Sequence, residues 1–512
     1  MVGKSKGCCG RVGICGRMNA VINSDLFHTS IEKNTAIACE DIFERGDMLE
    51  EIENVYGGAL MSGLAMKIYY SSPIFIQNFL TSLVGWKYKK LRYGQIYRNH
   101  IKELENRDYT RRETQISFQI NELKRIVSYA KRNSQFYSEF YKEIDEKNIQ
   151  NLSALKKLPV LSKEIVRVSL NEMYTINEED GNVSHTSGTT GTPLKILFSL
   201  EDTQKRMAYL DFFKKQHGFV NMKMKRATFN SSEIIPIRQK RKVFWRNNIS
   251  IKQRIYSSFH CQEENIKYYI SNLNDYKPAA IDGLPSVIYK VARYINKNNL
   301  NLTFRPVAIF TTAETLLPHY RNEIEKAFKS PVRDQYASSE GAPFITECTH
   351  GALHYNMDTG IIEVLENNEM LITSFTTYGT PLIRYGIGDR IRFNETPKKC
   401  DCGSVHPVVS EIQGRNTDHV QSKSKGEVTA VFLSLVSDKF LNSINKMQFI
   451  QNDLENITIL VEIGDGYNTD MDKIIVEKMK YYVGEDITYT IKHVKEIPVA
   501  KNAKHRFIIN NI

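Results

Sequence analysis

The sequence predicts an α/β protein that ends in a small α+β domain, and three observations carry that reading. From about residue 180, short apolar runs punctuated by Gly, Pro and Thr alternate with helix-type segments such as Ser286 to Lys297, the texture of strands joined by helices. Near Gly414 the texture changes, and strand-like runs Ile457 to Ile463 and Thr488 to His493 flank a helix-like Met471 to Tyr482. The 512 residues also exceed one compact core, since domains run to about 150 residues. We therefore expect a large domain at 66–414, a small one at 415–512, and an unassigned leader at 1–65.

Hydrophobic residues at 41% and charged residues at 25% supply a core and exclude collagen, low-complexity disorder and a disulfide-stapled miniprotein. Lys and Arg number 69 against 58 Asp and Glu, and the formal charge of +11 favours anionic partners such as nucleotides, phosphates or an anionic membrane. Eight cysteines are too sparse for a secreted disulfide framework. The opening lacks the apolar run of a signal peptide and no stretch has the apolar length of a membrane span, so a cytoplasmic protein is expected.

Taken in order, residues 1–65 have no sustained period, and their Gly/Cys-rich opening reads as a flexible leader or as an early start upstream of Met66. Ile68 to Trp86 carries no charge but is interrupted by Ser71, Ser72, Pro73, Gln77, Asn78 and Ser82. It reads as a packed helix, with a surface-lying amphipathic segment in peripheral membrane contact as the alternative. Residues 99 to 148 read as a charged helical stretch with Ile116, Ile120, Leu123 and Val127 on one face.

The sharpest local signal is His185-Thr186-Ser187-Gly188-Thr189-Thr190-Gly191-Thr192-Pro193-Leu194-Lys195, which sets two glycines among hydroxyl residues and leads into a strand-like run. Such a loop turns tightly and gathers backbone N–H and hydroxyl donors in one concavity, as a polyphosphate requires. It is not a Walker A loop, which needs a Lys-Ser/Thr pair followed by a helix. Downstream come Tyr336-Ala337-Ser338-Ser339-Glu340, PLIRYGIGD from Pro381 to Asp389, Gly414-Arg415 and Lys504.

In this order the motifs resemble those of the adenylate-forming superfamily. Within it the likeness is to the phenylacetate-coenzyme A ligase family, in the branch found among capsular polysaccharide genes. YYSSPIFIQNFLTSLVGWKYKKLRYG, AIDGLPSVIY, TTAETLLPHYR and ECTHGALH carry that likeness, which spans Met66 to Ile509. It implies a large multi-sheet adenylating domain and a small mobile C-terminal domain. The implied activity is ATP-dependent conversion of a carboxylic acid to an acyl-adenylate, then transfer to a thiol, that of coenzyme A, in the service of surface polysaccharide. Two rivals stand beside it: transfer to an amine or hydroxyl, and a catalytically weak nucleotide-binding partner of a polysaccharide assembly complex.

Adenylation brings a carboxylate oxygen to the α-phosphate of ATP, and the developing charge needs donors, a metal and a cation set in advance. The resemblance implies Thr186, Ser187, Gly188, Thr189, Thr190 and Gly191 around the phosphates and Tyr336 stacked on adenine, with Ser339 alongside. It implies Glu340 beside Mg2+, for which a carboxylate is the right ligand type. Asp389 would take the ribose diol, Arg415 would reach the same nucleotide with its planar fork, and Lys504 would bridge carboxylate and phosphate. Departures from the family pattern are Val499 and Ala503 near Lys504, Leu194 where lysine is common, and Thr417-Asp418 at the expected hinge. Lys501 is a competing assignment for Lys504.

Cys348, His354, Cys400 and Cys402 have the number and type of ligands for a closed tetrahedral zinc site, with His350 and His406 as alternative histidines. Four protein ligands leave no open position, so the expected Zn2+ is structural. The basic run from Lys223 to Arg246, with Phe244 and Trp245 embedded, lacks any nucleic-acid module and reads as a solvated face, or else as a contact for coenzyme A phosphates. His260-Cys261 is a candidate wall of the acyl pocket. The acid itself, the final acceptor and the oligomeric state are left open.

Overall fold

The computed structural model describes residues 63–185, 194–236, 239–366, 368–394, 400–413, 419–437, 440, 443–464, 466–497 and 507–512. The helical beginning comprises α1 (Gly63–Ser71), α2 (Ile74–Arg92), α3 (Gln95–Asn106), α4 (Arg112–Asn133), α5 (Gln135–Phe140) and α6 (Lys163–Met173). Pro73 parts α1 from α2 because it has no N–H to continue a helix. The helical stretch expected at 99–148 is divided among α3, α4 and α5, and the buried stripe of α4 includes two glutamines. It runs through Gln115, Gln119, Leu123, Ile126, Val127 and Ala130, while Ile116 and Ile120 are only half-buried. The glutamines tolerate burial because their amides are bonded: Gln119 Nε2 donates to the Tyr355 hydroxyl at 2.7 Å and the Gly360 carbonyl at 2.8 Å, and Gln115 Nε2 donates to the Asp108 carbonyl at 2.7 Å.

Two antiparallel strands follow, β1 (Asn182–His185) and β2 (Lys195–Phe198), with His185 opposite Lys195. Helix α7 (Leu200–Gln216) starts at a Ser199–Asp202 capping box. Asp202 also accepts from the N–H groups of Tyr378 and Gly379, both at 2.9 Å, which fixes the start of α7 to a distant loop.

The main sheet begins with β3 (Arg226–Asn230), β4 (Trp245–Asn248) and β5 (Gln253–Ser257). It continues through α8 (Glu263–Tyr276), β6 (Ala280–Gly283), α9 (Pro285–Lys297), β7 (Ala308–Thr311), α10 (Pro318–Phe328) and β8 (Val332–Tyr336). β5, β3, β6, β7 and β8 are parallel, as strands returning through helices must be, and β4 closes the edge antiparallel to β5. Every residue of β6 and β7 is buried, as expected of a sheet covered on both faces.

Beyond β8 the sheet turns antiparallel, through β9 (Ile345–Glu347), β10 (Leu353–Tyr355), β11 (Gly360–Val364), β12 (Glu369–Ser374), β13 (Tyr385–Phe393) and β14 (Val408–Gln413). The full order is β11-β12-β13-β14-β10-β9-β8-β7-β6-β3-β5-β4. β8 and β13 stand four strand steps apart, about 19 Å in a flat sheet. Their side chains nevertheless touch, since the Tyr336 hydroxyl donates to Asp389 at 2.7 Å. The antiparallel half is therefore strongly curled, and its concavity is filled by an apolar core shared with α4, α5 and α6.

The chain ends in a hairpin of β15 (His419–Ser422) and β16 (Gly426–Thr429), then α11 (Ala430–Ser437), β17 (Ile444–Gln451), β18 (Asn456–Ile463), α12 (Asp470–Tyr482), β19 (Thr488–Val494) and β20 (Ile508–Asn510). The four-stranded sheet has order β19-β18-β17-β20. Ile457, Ile459 and Val461 alternate inward along β18. Phe259 from the preceding half joins this core beside Phe432 and Tyr482. The hairpin is held against α9 and α10: the Tyr320 hydroxyl donates to Glu427 at 2.6 Å, the Lys290 ammonium to the Lys425 carbonyl at 2.9 Å, and the Thr429 hydroxyl to Glu314 at 2.5 Å. Burial pushes the Glu314 carboxyl above its ordinary range. Among the described residues no helix is long and apolar enough to cross a membrane.

Candidate active site and metal centre

Tyr336 is the last residue of β8. Asp389, expected in a glycine turn at the end of a strand, lies inside β13, and a bulge explains why the sequence looked like a turn. Glu369 pairs with Arg390 and Leu371 with Gly386, so the single residue Met370 faces Ile387, Gly388 and Asp389. Gly388 takes φ +88, a left-handed conformation that glycine adopts without strain. Bulges of this kind re-aim a side chain, and here the Asp389 carboxylate is turned to meet the Tyr336 hydroxyl.

The turn after β8 carries Ser339, which is exposed, and Glu340, which is 9% exposed. The turn is braced from within: the Gly341 N–H donates to the Ser338 carbonyl at 3.1 Å, and the Ala342 N–H to the Ser338 hydroxyl at 3.0 Å. Gly341 takes φ +81, and a Cβ there would lie 2.2 Å from the Thr377 methyl. Lys163, at the start of α6, brings its ammonium within 4.0 Å of Glu340. Sequence reading missed Lys163. Its only local signal is the Ser162 N-cap, which marks a helix start and says nothing of Glu340.

The four metal-ligand candidates meet. Their ligand atoms all lie within 4.8 Å of one another, with Cys348 Sγ 3.8 Å from Cys400 Sγ and Cys402 Sγ 3.4 Å from His354 Nε2. A tetrahedral zinc with Zn–S of about 2.3 Å and Zn–N of about 2.0 Å sets sulfur–sulfur edges near ~3.8 Å and sulfur–nitrogen edges near ~3.5 Å. His354 Nδ1 donates to the His406 carbonyl at 2.8 Å, which leaves Nε2 as the lone-pair nitrogen facing the thiols. Cys348 and Cys400 each open a tight turn, where the N–H groups of Gly351 and Gly403 return to their carbonyls and both glycines are left-handed. Burial and the neighbouring thiols raise the Cys402 thiol, an effect a divalent cation reverses. His350 is exposed beside Thr349, and the buried His406 ring accepts from the Met357 N–H at 3.4 Å; neither ring is among the four grouped ligands.

The phosphate-loop residues Thr186, Ser187, Gly188, Thr189, Thr190 and Gly191 lie outside the described residues, as do Arg415, Lys504, Lys501 and the expected hinge at 414–418. Lys195, next to Leu194, is ion-paired with Glu178. The basic run is not simply a solvated face. Arg226 is buried against Asp282 at 3.3 Å, and Arg246, 0% exposed, donates to Gln77 and the Trp245 carbonyl, both at 2.7 Å. Cys261 is buried and its thiol pushed up to about 12, which suits packing and not nucleophilic attack.

Two solved forms of 2-hydroxyisobutyryl-CoA ligase match this architecture. One, in the thioesterification state with 2-HIB-AMP and CoA, aligns with TM-score 0.52 at 14% identity, covering 79% of this chain and 91% of that one. The other, in the postadenylation state with R3-HIB-AMP, aligns with TM-score 0.50 at 14% identity and the same coverages. The fold is that of the adenylate-forming ligases. In sequence, the chain is 39% identical over 455 residues to Protein CapK of Staphylococcus aureus, covering 87% of this chain and 99% of that protein, and residues 420–511 match the CapK C-terminal domain. The chain belongs to the CapK family.

Proposed function

We propose that this protein activates a carboxylic acid with MgATP and passes the acyl group to the thiol of coenzyme A. The carrying observation is the bulge in β13 that turns Asp389 onto Tyr336 across a curled adenylate-forming sheet, with Glu340 buried nearby at the end of β8. In the first step a carboxylate oxygen bonds to the α-phosphorus and pyrophosphate leaves. In the second the thiol sulfur takes the acyl carbon and AMP leaves.

In this reading Asp389 accepts from the ribose hydroxyls, Tyr336 lies against adenine with Ser339 beside it, and residues 186–191 and Arg415 hold the phosphates and nucleotide. Glu340 accompanies Mg2+. Lys163, 4.0 Å from Glu340, orients that carboxylate and joins the set. Lys504 supplies the cation for adenylation from a small domain at 415–512 that moves against a large one at 66–414. A zinc on Cys348, His354, Cys400 and Cys402 would be structural, because its four protein ligands fill a tetrahedron. A ligase drawing on ATP and coenzyme A works in the cytoplasm, where we place it, and kinship with CapK supports a role in capsule formation.

The test is pyrophosphate release over a panel of acids, repeated with and without coenzyme A. Release with one acid and a thioester only when coenzyme A is present is the expected result. A product formed equally without coenzyme A would point to an amine or hydroxyl acceptor.

A further inference from the structure

Helix α2 is amphipathic in an unusual sense, because several of its polar side chains face inward while three large aromatics face out. On its inner side Gly85 lies so close to β4 that a Cβ would sit 2.2 Å from the Asn248 side chain. The Asn247 N–H donates to Asn78 at 2.8 Å, the Ser82 hydroxyl donates to the Asn247 carbonyl at 3.0 Å, and the buried Gln77 accepts from Arg246 at 2.7 Å. The helix thereby covers the exposed edge of the main sheet. On its outer side stand Phe75, Phe79 and Trp86, exposed by 59%, 49% and 49%. Spacings of four and seven put them on one stripe. Ile249, 76% exposed, sits beside the same helix, since its N–H donates to Ser82 at 3.2 Å.

Along the described chain that carries this stripe the charge has one sign. Between Gly63 and Lys102 the chain contains lysines and arginines and not one Asp or Glu. Lys87 and Lys90 are exposed on α2, with the Lys90 ammonium 3.6 Å from the centre of the Trp86 ring, and Lys89 donates to the Ser250 carbonyl at 3.1 Å.

We propose that the outward face of α2, with Ile249, docks on an anionic lipid bilayer. The helix would lie in the interface plane, with Phe75, Phe79, Trp86 and Ile249 at headgroup depth and the lysines reaching the lipid phosphates. Charge complementarity selects this occupant. A second copy meeting the same face would set the lysines of one described helix against those of the other, whereas an anionic surface attracts them.

Co-sedimentation of the full chain with vesicles of phosphatidylcholine alone, and of two parts phosphatidylcholine to one part phosphatidylglycerol, tests the proposal. The protein should pellet with the anionic vesicles only. Phe75→Ser/Phe79→Ser/Trp86→Ser should lower partitioning by at least tenfold, on the order of the loss of an interfacial anchor, with an unchanged melting temperature. Lys87→Glu/Lys90→Glu should lower it by on the order of thirtyfold, about fivefold per lysine or more. In a Trp245→Phe background, Trp86 emission should shift to shorter wavelength on anionic vesicles. Any of three results would overturn the proposal: no pelleting, equal pelleting on neutral vesicles, or equal pelleting of the folded triple-serine variant. A dimer lost in that variant without vesicle binding would assign the stripe to a second copy, and tighter binding to single-stranded RNA than to vesicles would assign it to nucleic acid.

Discussion

The Cys/His centre and the Tyr336–Asp389 pair belong to the same antiparallel half-sheet, yet they are assembled at different ranges. The four ligands come from β10 and from turns beside β9 and β14, strands in direct register: His354 pairs with Thr346 on one side and Val408 on the other. Neighbouring strands set that geometry by themselves. The Tyr336–Asp389 pair spans β8 to β13 and closes only because the three strands between them, β9, β10 and β14, curl. Those three strands are the ones that carry or adjoin the Cys/His cluster. A metal held by the four local ligands would brace the curvature on which the longer-range pair depends, and breaking the first should damage the second.

Cys400→Ser gives the sharpest break and the largest expected effect. It should abolish zinc binding, lower Tm by about 10 °C and weaken MgATP binding at a distance. Metal analysis of protein purified without added zinc, with differential scanning calorimetry, checks the first two. No stoichiometric zinc in the parent protein would refute the metal assignment, while unchanged ATP affinity in a zinc-free variant would uncouple the two sites.

Next in size is Lys504→Ala, expected to slow adenylation by about 10²–10³ while sparing thioester formation from a supplied acyl-adenylate. Rapid-quench measurement of the half-reactions decides it, and equal loss in both would rule out a domain that moves between steps.

Asp389→Ala should weaken MgATP by about 2 kcal/mol, roughly thirtyfold, since it deletes a charged acceptor. Titration calorimetry reads this directly, and equal affinity would remove Asp389 from the nucleotide site.

Asp334 gives the smallest effect. It lies in β8 two residues before Tyr336, accepts from the Thr311 hydroxyl at 2.6 Å, and is pushed up to about 6 by burial. A raised carboxyl contributes stability that is present below the unfolded value of 3.8 and lost as pH rises through about 6. Asp334→Asn should flatten the pH dependence of Tm in that window and change stability at pH 7 by on the order of 1 kcal/mol.

What the sequence revealed follows the same division of range. Helix α9 was readable because its apolar spacing is local and Pro285 stands at its first turn, and the Cys-Asp-Cys run announced itself by ligand chemistry. The buried stripe of α4 was read only in part, because burial of Gln119 depends on partners far along the chain, Tyr355 and Gly360, and that of Gln115 on the Asp108 carbonyl just before the helix. Asp389 looked like a turn residue because a bulge and a turn call for the same glycine. Lys163 gave no signal, and buried Arg226 and Arg246 passed for solvated charges, because their partners are visible only in the fold.

Acid adenylation itself is tested most directly by exchange of labelled pyrophosphate into ATP, which reads the first half-reaction without any thiol. The full chain should catalyse exchange that requires both Mg2+ and one particular carboxylic acid, and Glu340→Gln should lose it. MgATP binding without exchange for any acid in the panel would contradict a ligase and mark the protein as a nucleotide-binding partner.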